Sequence, residues 1–88
     1  AGLVASAIAS MVKTVDVLND RMGAYELSEF ADMAKTMNAV KEITVGVKTL
    51  KNAHGAMFEK DVVKSQVQTL KDAITTNNSL FTSKTNSL

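Results

Sequence analysis

The sequence predicts an all-α fold: two or three long amphipathic helices forming a helical hairpin or a coiled-coil-like bundle. Three observations carry this expectation. Apolar residues recur on a four-three beat near both ends of the chain. Val4, Ile8, Met11, Val15, Leu18 and Met22 form one series; Val63, Val67, Leu70, Ile74, Phe81 and Leu88 form the other, with Asn77 and Lys84 as polar interruptions. Such spacing holds one side of a helix toward a partner over several turns. Proline is absent and glycine occurs four times, so no missing N–H forces a break. Finally, 88 residues without cysteine must be stabilised by helix packing or oligomerisation. A chain of this size buries only about 60% of its unfolded surface.

The whole chain, residues 1–88, reads as a single helical domain. A first helix is expected over residues 3–22. Its early part carries Ala5, Ser6, Ala7, Ala9 and Ser10, small side chains that either admit a neighbouring helix closely or decorate a surface of high helix propensity. An interfacial membrane segment is a third reading of that stretch. Gly23 stands where a left-handed cap would end the helix. Ser28 is placed to cap a second helix over residues 28–52. Acidic Glu26, Glu29 and Asp32 open this segment and basic Lys48 and Lys51 close it, the order that suits the helix dipole. Its stripe runs through Phe30, Met33, Met37, Val40, Ile43, Val47 and Leu50.

Within that helix, Glu42 to Thr49 is β-branched and alternates Ile43, Val45, Val47 against Thr44, Gly46, Lys48. Period two marks a half-exposed strand, and Gly46 costs a helix interior about 1 kcal/mol relative to alanine. The expectation is a helix with a weak point at 43–47, with a strand or irregular link as the alternative. Asn52-Ala53-His54-Gly55 reads as the next turn, with residues that tolerate positive φ. A third helix is expected over about 57–76, starting between Met57 and Asp61, followed by a polar tail over 77–88. The Thr, Asn and Ser of that tail compete with helical hydrogen bonding, so it is expected to fray alone and order against a partner.

Side chains that could carry chemistry are sparse. His54 is the single imidazole; Glu59 and Asp61 do not share a helical face with it, and no second histidine completes a zinc cage. It reads as a turn or core-edge residue. Asp16 and Asp20 lie one turn apart, but Lys13 and Arg21 adjoin them, which describes a solvated charged face rather than an acid–base pair. Met11, Met22, Met33, Met37 and Met57 lie on or near the apolar stripes, as core filling or as an adaptable docking face. No phosphate loop or nucleophile triad occurs. Catalytic, cofactor and metal sites are therefore expected to be absent, and the protein is expected not to be an enzyme.

Ten basic and nine acidic side chains give a net charge of +1, so no nucleic-acid footprint is evident. The charge-free opening to Val12 is shorter than the roughly twenty apolar residues a membrane span needs, and stable membrane insertion is not expected. It also lacks the basic lead of a signal peptide. Ala1 is equally consistent with methionine removal, trimming, or excision from a longer chain. Secreted and cytoplasmic settings are both allowed.

Three helical families share texture with this chain. Ala31-Asp32-Met33 and Gln68-Thr69-Leu70-Lys71-Asp72-Ala73-Ile74, with the Asn- and Ser-rich end, resemble needle or filament subunits of bacterial type III secretion systems. That resemblance implies helical subunits polymerising through a C-terminal helix. Val47-Lys48-Thr49-Leu50, Phe58-Glu59 and Val67-Gln68-Thr69 are similar to central helices of endosomal-sorting filament proteins, without their basic first hairpin. Ala53-His54-Gly55 occupies the place of the W-x-G turn of type VII secreted hairpins, without its tryptophan.

The functional expectation is a structural protein that self-assembles through its helices, with a secreted filament or needle subunit as its most specific form. Its partners would be copies of itself or another helical protein, and the interaction residues would be Val4, Ile8, Met11, Val15, Leu18, Val63, Val67, Leu70, Ile74 and Phe81. The alternative is a soluble helical module that receives a partner helix.

Overall fold

Helices α1 (Leu3–Ala24), α2 (Phe30–Ala53) and α3 (Asp61–Thr85) run in sequence through the computed structural model, which describes residues 2–86. Short 3-10 turns at Leu27–Glu29 and Gly55–Glu59 join them. Such short connections make each successive pair antiparallel, so α1 and α3 lie parallel. Side-chain bonds confirm that direction: Asn19 Nδ2 donates to the Ala73 carbonyl at 2.9 Å, and Lys84 Nζ donates to the Gly23 carbonyl at 3.0 Å. The bundle measures 44 × 18 × 17 Å.

The two end series meet inside one chain. Val4, Ile8 and Val15 of α1 are buried together with Val63, Leu70 and Ala73 of α3, and α2 adds Val40 to the same core. The α1–α3 pair makes the most extensive contact in the molecule. Ala5 is buried, whereas Ser6, Ala9 and Ser10 face outward. Close packing thus uses Ala5 and, in part, the half-buried Ala7, and the rest of the small-residue stretch is surface. Met22 and Met33 are also fully buried.

Residues 42–49 are helical without interruption. A strand needs a neighbour to accept its ladder bonds, and no strand occurs among the described residues. Read with helical period, the same stretch places Ile43, Val47 and Leu50 against the core and leaves Val45 62% exposed. Thr44 and Thr49 return their hydroxyls to the carbonyls of Val40 and Val45, at 3.3 and 3.1 Å. Gly46 faces α1: a Cβ there would lie 3.7 Å from the Met11 methyl.

Several expected boundaries are corrected. Gly23 is not a left-handed cap. Helix α1 continues to Ala24, no described residue has positive φ, and Tyr25 ends the helix in extended conformation. Ser28 caps nothing; it lies inside a 3-10 turn whose N-cap is Glu26, and Glu29 folds its Oε1 back to accept the Glu26 N–H at 2.9 Å. The turn expected at 52–55 begins later, since α2 holds through Ala53 and breaks at His54. The third helix starts at Asp61, the late edge of its expected start, because residues 55–59 form the 3-10 turn.

The largest correction concerns the polar tail. Residues 77–85 continue α3 and pack on the same chain. The Thr76 and Thr85 hydroxyls donate to the carbonyls of Asp72 and Phe81, which removes their competition with the helix. Asn77 is buried, and Phe81 packs on Phe30 in a tilted pair with ring centroids 5.9 Å apart. Leu88, the last member of the second series, lies outside the described residues.

Candidate association surface

The ten residues expected to mediate association lie along the inner seam of the bundle. Val4, Ile8, Val15, Val63 and Leu70 are buried within the chain. Met11, Leu18, Val67, Ile74 and Phe81 are half-buried. The half-buried members are the ones that retain surface for a second molecule, and Val67 and Ile74 share one feature.

That feature is a furrow between the C-terminal half of α2 and the N-terminal half of α3. Its most apolar cavity, about 230 Å³, is walled by Val47, Phe58, Val67, Leu70 and Ile74, with Lys48, Lys51 and Lys71 among its lining. A cavity of about 240 Å³ adjoins it through shared Lys51, Phe58 and Val67 and adds Glu59 and Lys64. On the other side, shared Thr44 and Ile74 lead to about 290 Å³ bordered by Lys41 and Asn78. Helices α2 and α3 make the least contact of the three pairs, and the furrow is the space left between them. Lys64 pairs with Glu59 at 3.5 Å. Among the described residues, Lys48, Lys51 and Lys71 have no carboxylate at ion-pair distance.

A second apolar feature lies at the opposite end, where α1 gives way to α2. Leu27 and Phe30 are 40% and 44% exposed there, among Glu26, Glu29 and Asp32. The corner is held from behind by α3. Lys84 donates its amine to the Gly23 and Tyr25 carbonyls, and Phe81 packs beneath Phe30. A cation at a helix C-terminus satisfies carbonyls that lack intrahelical partners and complements the dipole.

Polar groups inside the seam are incompletely satisfied. Asn77 has no exposed surface, and neither its Oδ1 nor its Nδ2 has a hydrogen-bond partner. The Oδ1 of Asn19 and the Oε1 of Gln66 are also buried and unpaired.

The residues considered for chemistry are dispersed. His54 is exposed at the end of α2, where its backbone N–H caps Leu50 and its carbonyl receives Met57 N–H. Asp16 and Asp20 are both exposed. Among the described residues, no three His, Cys, Asp or Glu side chains converge as metal ligands. No described helix is long and apolar enough to cross a membrane. Of the methionines, Met22 and Met33 fill the core, Met11 and Met37 are half-buried, and Met57 is exposed.

The lysines of the furrow and Leu27 were not legible as a site. Lys48 and Lys51 read as helix-end charge, and Leu27 belongs to no stripe. The available signal was Lys71 beside Leu70, a cation adjoining a seam position on a second helix. No family model, no curated protein and no solved structure matches the chain.

Proposed function

We propose that this chain is a non-enzymatic structural protein whose working partner is another copy of itself. The observation that carries this reading is the α2–α3 furrow, an apolar cleft left open in a bundle that otherwise closes its seam. Exposed contiguous apolar surface favours association, and the corner adds two further exposed apolar side chains, Leu27 and Phe30. The dispersal of His54, Asp16 and Asp20 over exposed positions supports a non-catalytic role. A secreted filament or needle subunit is the specific form of this reading, supported by the sequence resemblance in the Ala31–Met33 and Gln68–Ile74 segments. The same furrow also favours a second reading, a module that receives the apolar face of a different helical protein.

Sedimentation of the purified chain over a roughly hundredfold concentration range, with circular dichroism on the same samples, separates the two readings. Self-assembly gives species that grow with concentration. A helical monomer of 9.4 kDa at every concentration would sink self-assembly and favour the partner-binding module. Leu70→Asp is unsuitable as an interface test: Leu70 is 1% exposed, so a charge there attacks the fold itself.

A further inference from the structure

Resting on the self-association reading, we infer that the Leu27–Phe30 corner of one copy docks in the α2–α3 furrow of the next. The two surfaces match in chemistry. The corner presents two exposed apolar side chains and the exposed Asp32 carboxylate, beside the Glu26 and Glu29 carboxylates that also cap the 3-10 turn. The furrow presents an apolar wall beside three lysines, Lys48, Lys51 and Lys71, that have no carboxylate at ion-pair distance among the described residues. Arg21 and Lys35 flank the corner in sequence, and the amine of Lys84 is already committed to carbonyls.

Size agrees as well. An apolar cavity of about 150 Å³ already holds a benzene ring. The most apolar furrow cavity, about 230 Å³, has room for the exposed part of the Phe30 ring, whose remainder packs on Phe81, with part of Leu27 beside it. Aromatic anchors in apolar pockets, surrounded by complementary charge, give interfaces most of their affinity and orientation.

Position determines what such a contact builds. Phe30 begins α2, while Lys48 lies eighteen residues further along the same helix. At about 1.5 Å per residue the corner and the furrow are separated by roughly 27 Å along the axis. One molecule therefore cannot satisfy its own furrow with its own corner. Reciprocated about a two-fold axis the contact closes a dimer, and unreciprocated it runs head to tail, where a rotation that does not close generates an open filament. The interface is partly ionic, so added salt weakens it.

The test uses two full-length variants at exposed positions. Lys48→Glu/Lys71→Glu reverses the furrow charge, and Leu27→Ser removes a corner anchor. Each alone is expected to associate on the order of a hundredfold more weakly than wild type, with an unchanged helical signal. Mixed in equal amounts, the intact corner of the first and the intact furrow of the second should form a 1:1 dimer that grows no further. If wild type polymerises and both variants polymerise equally well, the docking is wrong while self-assembly stands. If, in addition, dodecanoate binds wild type and not the furrow variant, the occupant is a small amphiphilic anion and the proposal is overturned. A wild-type chain that stays monomeric overturns both this inference and the reading beneath it.

Discussion

Asn77 sits where an aliphatic side chain would stabilise the bundle. Its amide is wholly buried and both polar atoms lack partners. An unsatisfied buried polar group costs about 1–3 kcal/mol, whereas an apolar group of similar shape carries no such penalty. Asn77→Leu is therefore expected to raise the unfolding free energy by about 1–2 kcal/mol in urea denaturation. A polar residue in a helical seam can also fix register and the number of helices, so the variant should show additional association states in sedimentation. A fall in stability would mean that the amide has a compensating role in the seam. Lys84 makes the opposite argument. Its amine satisfies two carbonyls at the end of α1, from a position sixty-one residues away from Gly23. Lys84→Met keeps the stem and removes the cation, and should lower stability by about 1–2 kcal/mol. Thermal unfolding monitored at the helical band checks it; no change would remove Lys84 from the forces that hold α1 in place.

At the scale of elements, Gly46 tests whether α2 is weak where its sequence looks strand-like. The glycine is helical, and an added Cβ meets the Met11 methyl at 3.7 Å, an ordinary contact. Alanine should then recover helix propensity without a clash. Gly46→Ala is expected to stabilise the protein by about 0.5–1 kcal/mol. Destabilisation, read in the same denaturation assay, would show that α1 needs the closer approach that glycine permits. Helical stripes such as Val4–Ile8–Val15 and Val63–Leu70 were legible because a sustained period overrides local noise. The strand-like alternation at 42–49 misled because period two has meaning only with a pairing neighbour. Helix ends were less legible for a different reason. The end of α1 is held by a lysine on α3, and the last turns of α3 by Phe30 on α2, contacts that no local window contains. The furrow was invisible for the same reason, since its lysines become one rim only when α2 and α3 lie side by side.

For the whole molecule, the decisive question is whether the last turns of α3 belong to the subunit or to its neighbour. A polar C-terminal segment that ordered only against a partner would be dispensable for the monomer. Instead, Phe81 packs on Phe30 and Lys84 reaches the end of α1, so the segment locks the corner where all three helices meet. Deleting the residues after Asn78 removes both ties. Their loss should cost about 2–3 kcal/mol, combining an aromatic pair with a charged hydrogen-bonding group. For a domain of this size that corresponds to a fall in Tm of roughly 10–20 °C. The same deletion loosens the surface that carries Leu27 and Phe30, so association should fall together with monomer helicity. Circular dichroism and sedimentation on the truncated chain distinguish the cases. Parallel loss of both signals makes the segment part of the subunit core, and through it couples folding of the corner to its availability for docking. If association collapses while the dilute monomer keeps its full helical signal and Tm, α3 beyond Asn78 serves the neighbouring molecule, and the contacts with Phe30 and Gly23 contribute little to the fold.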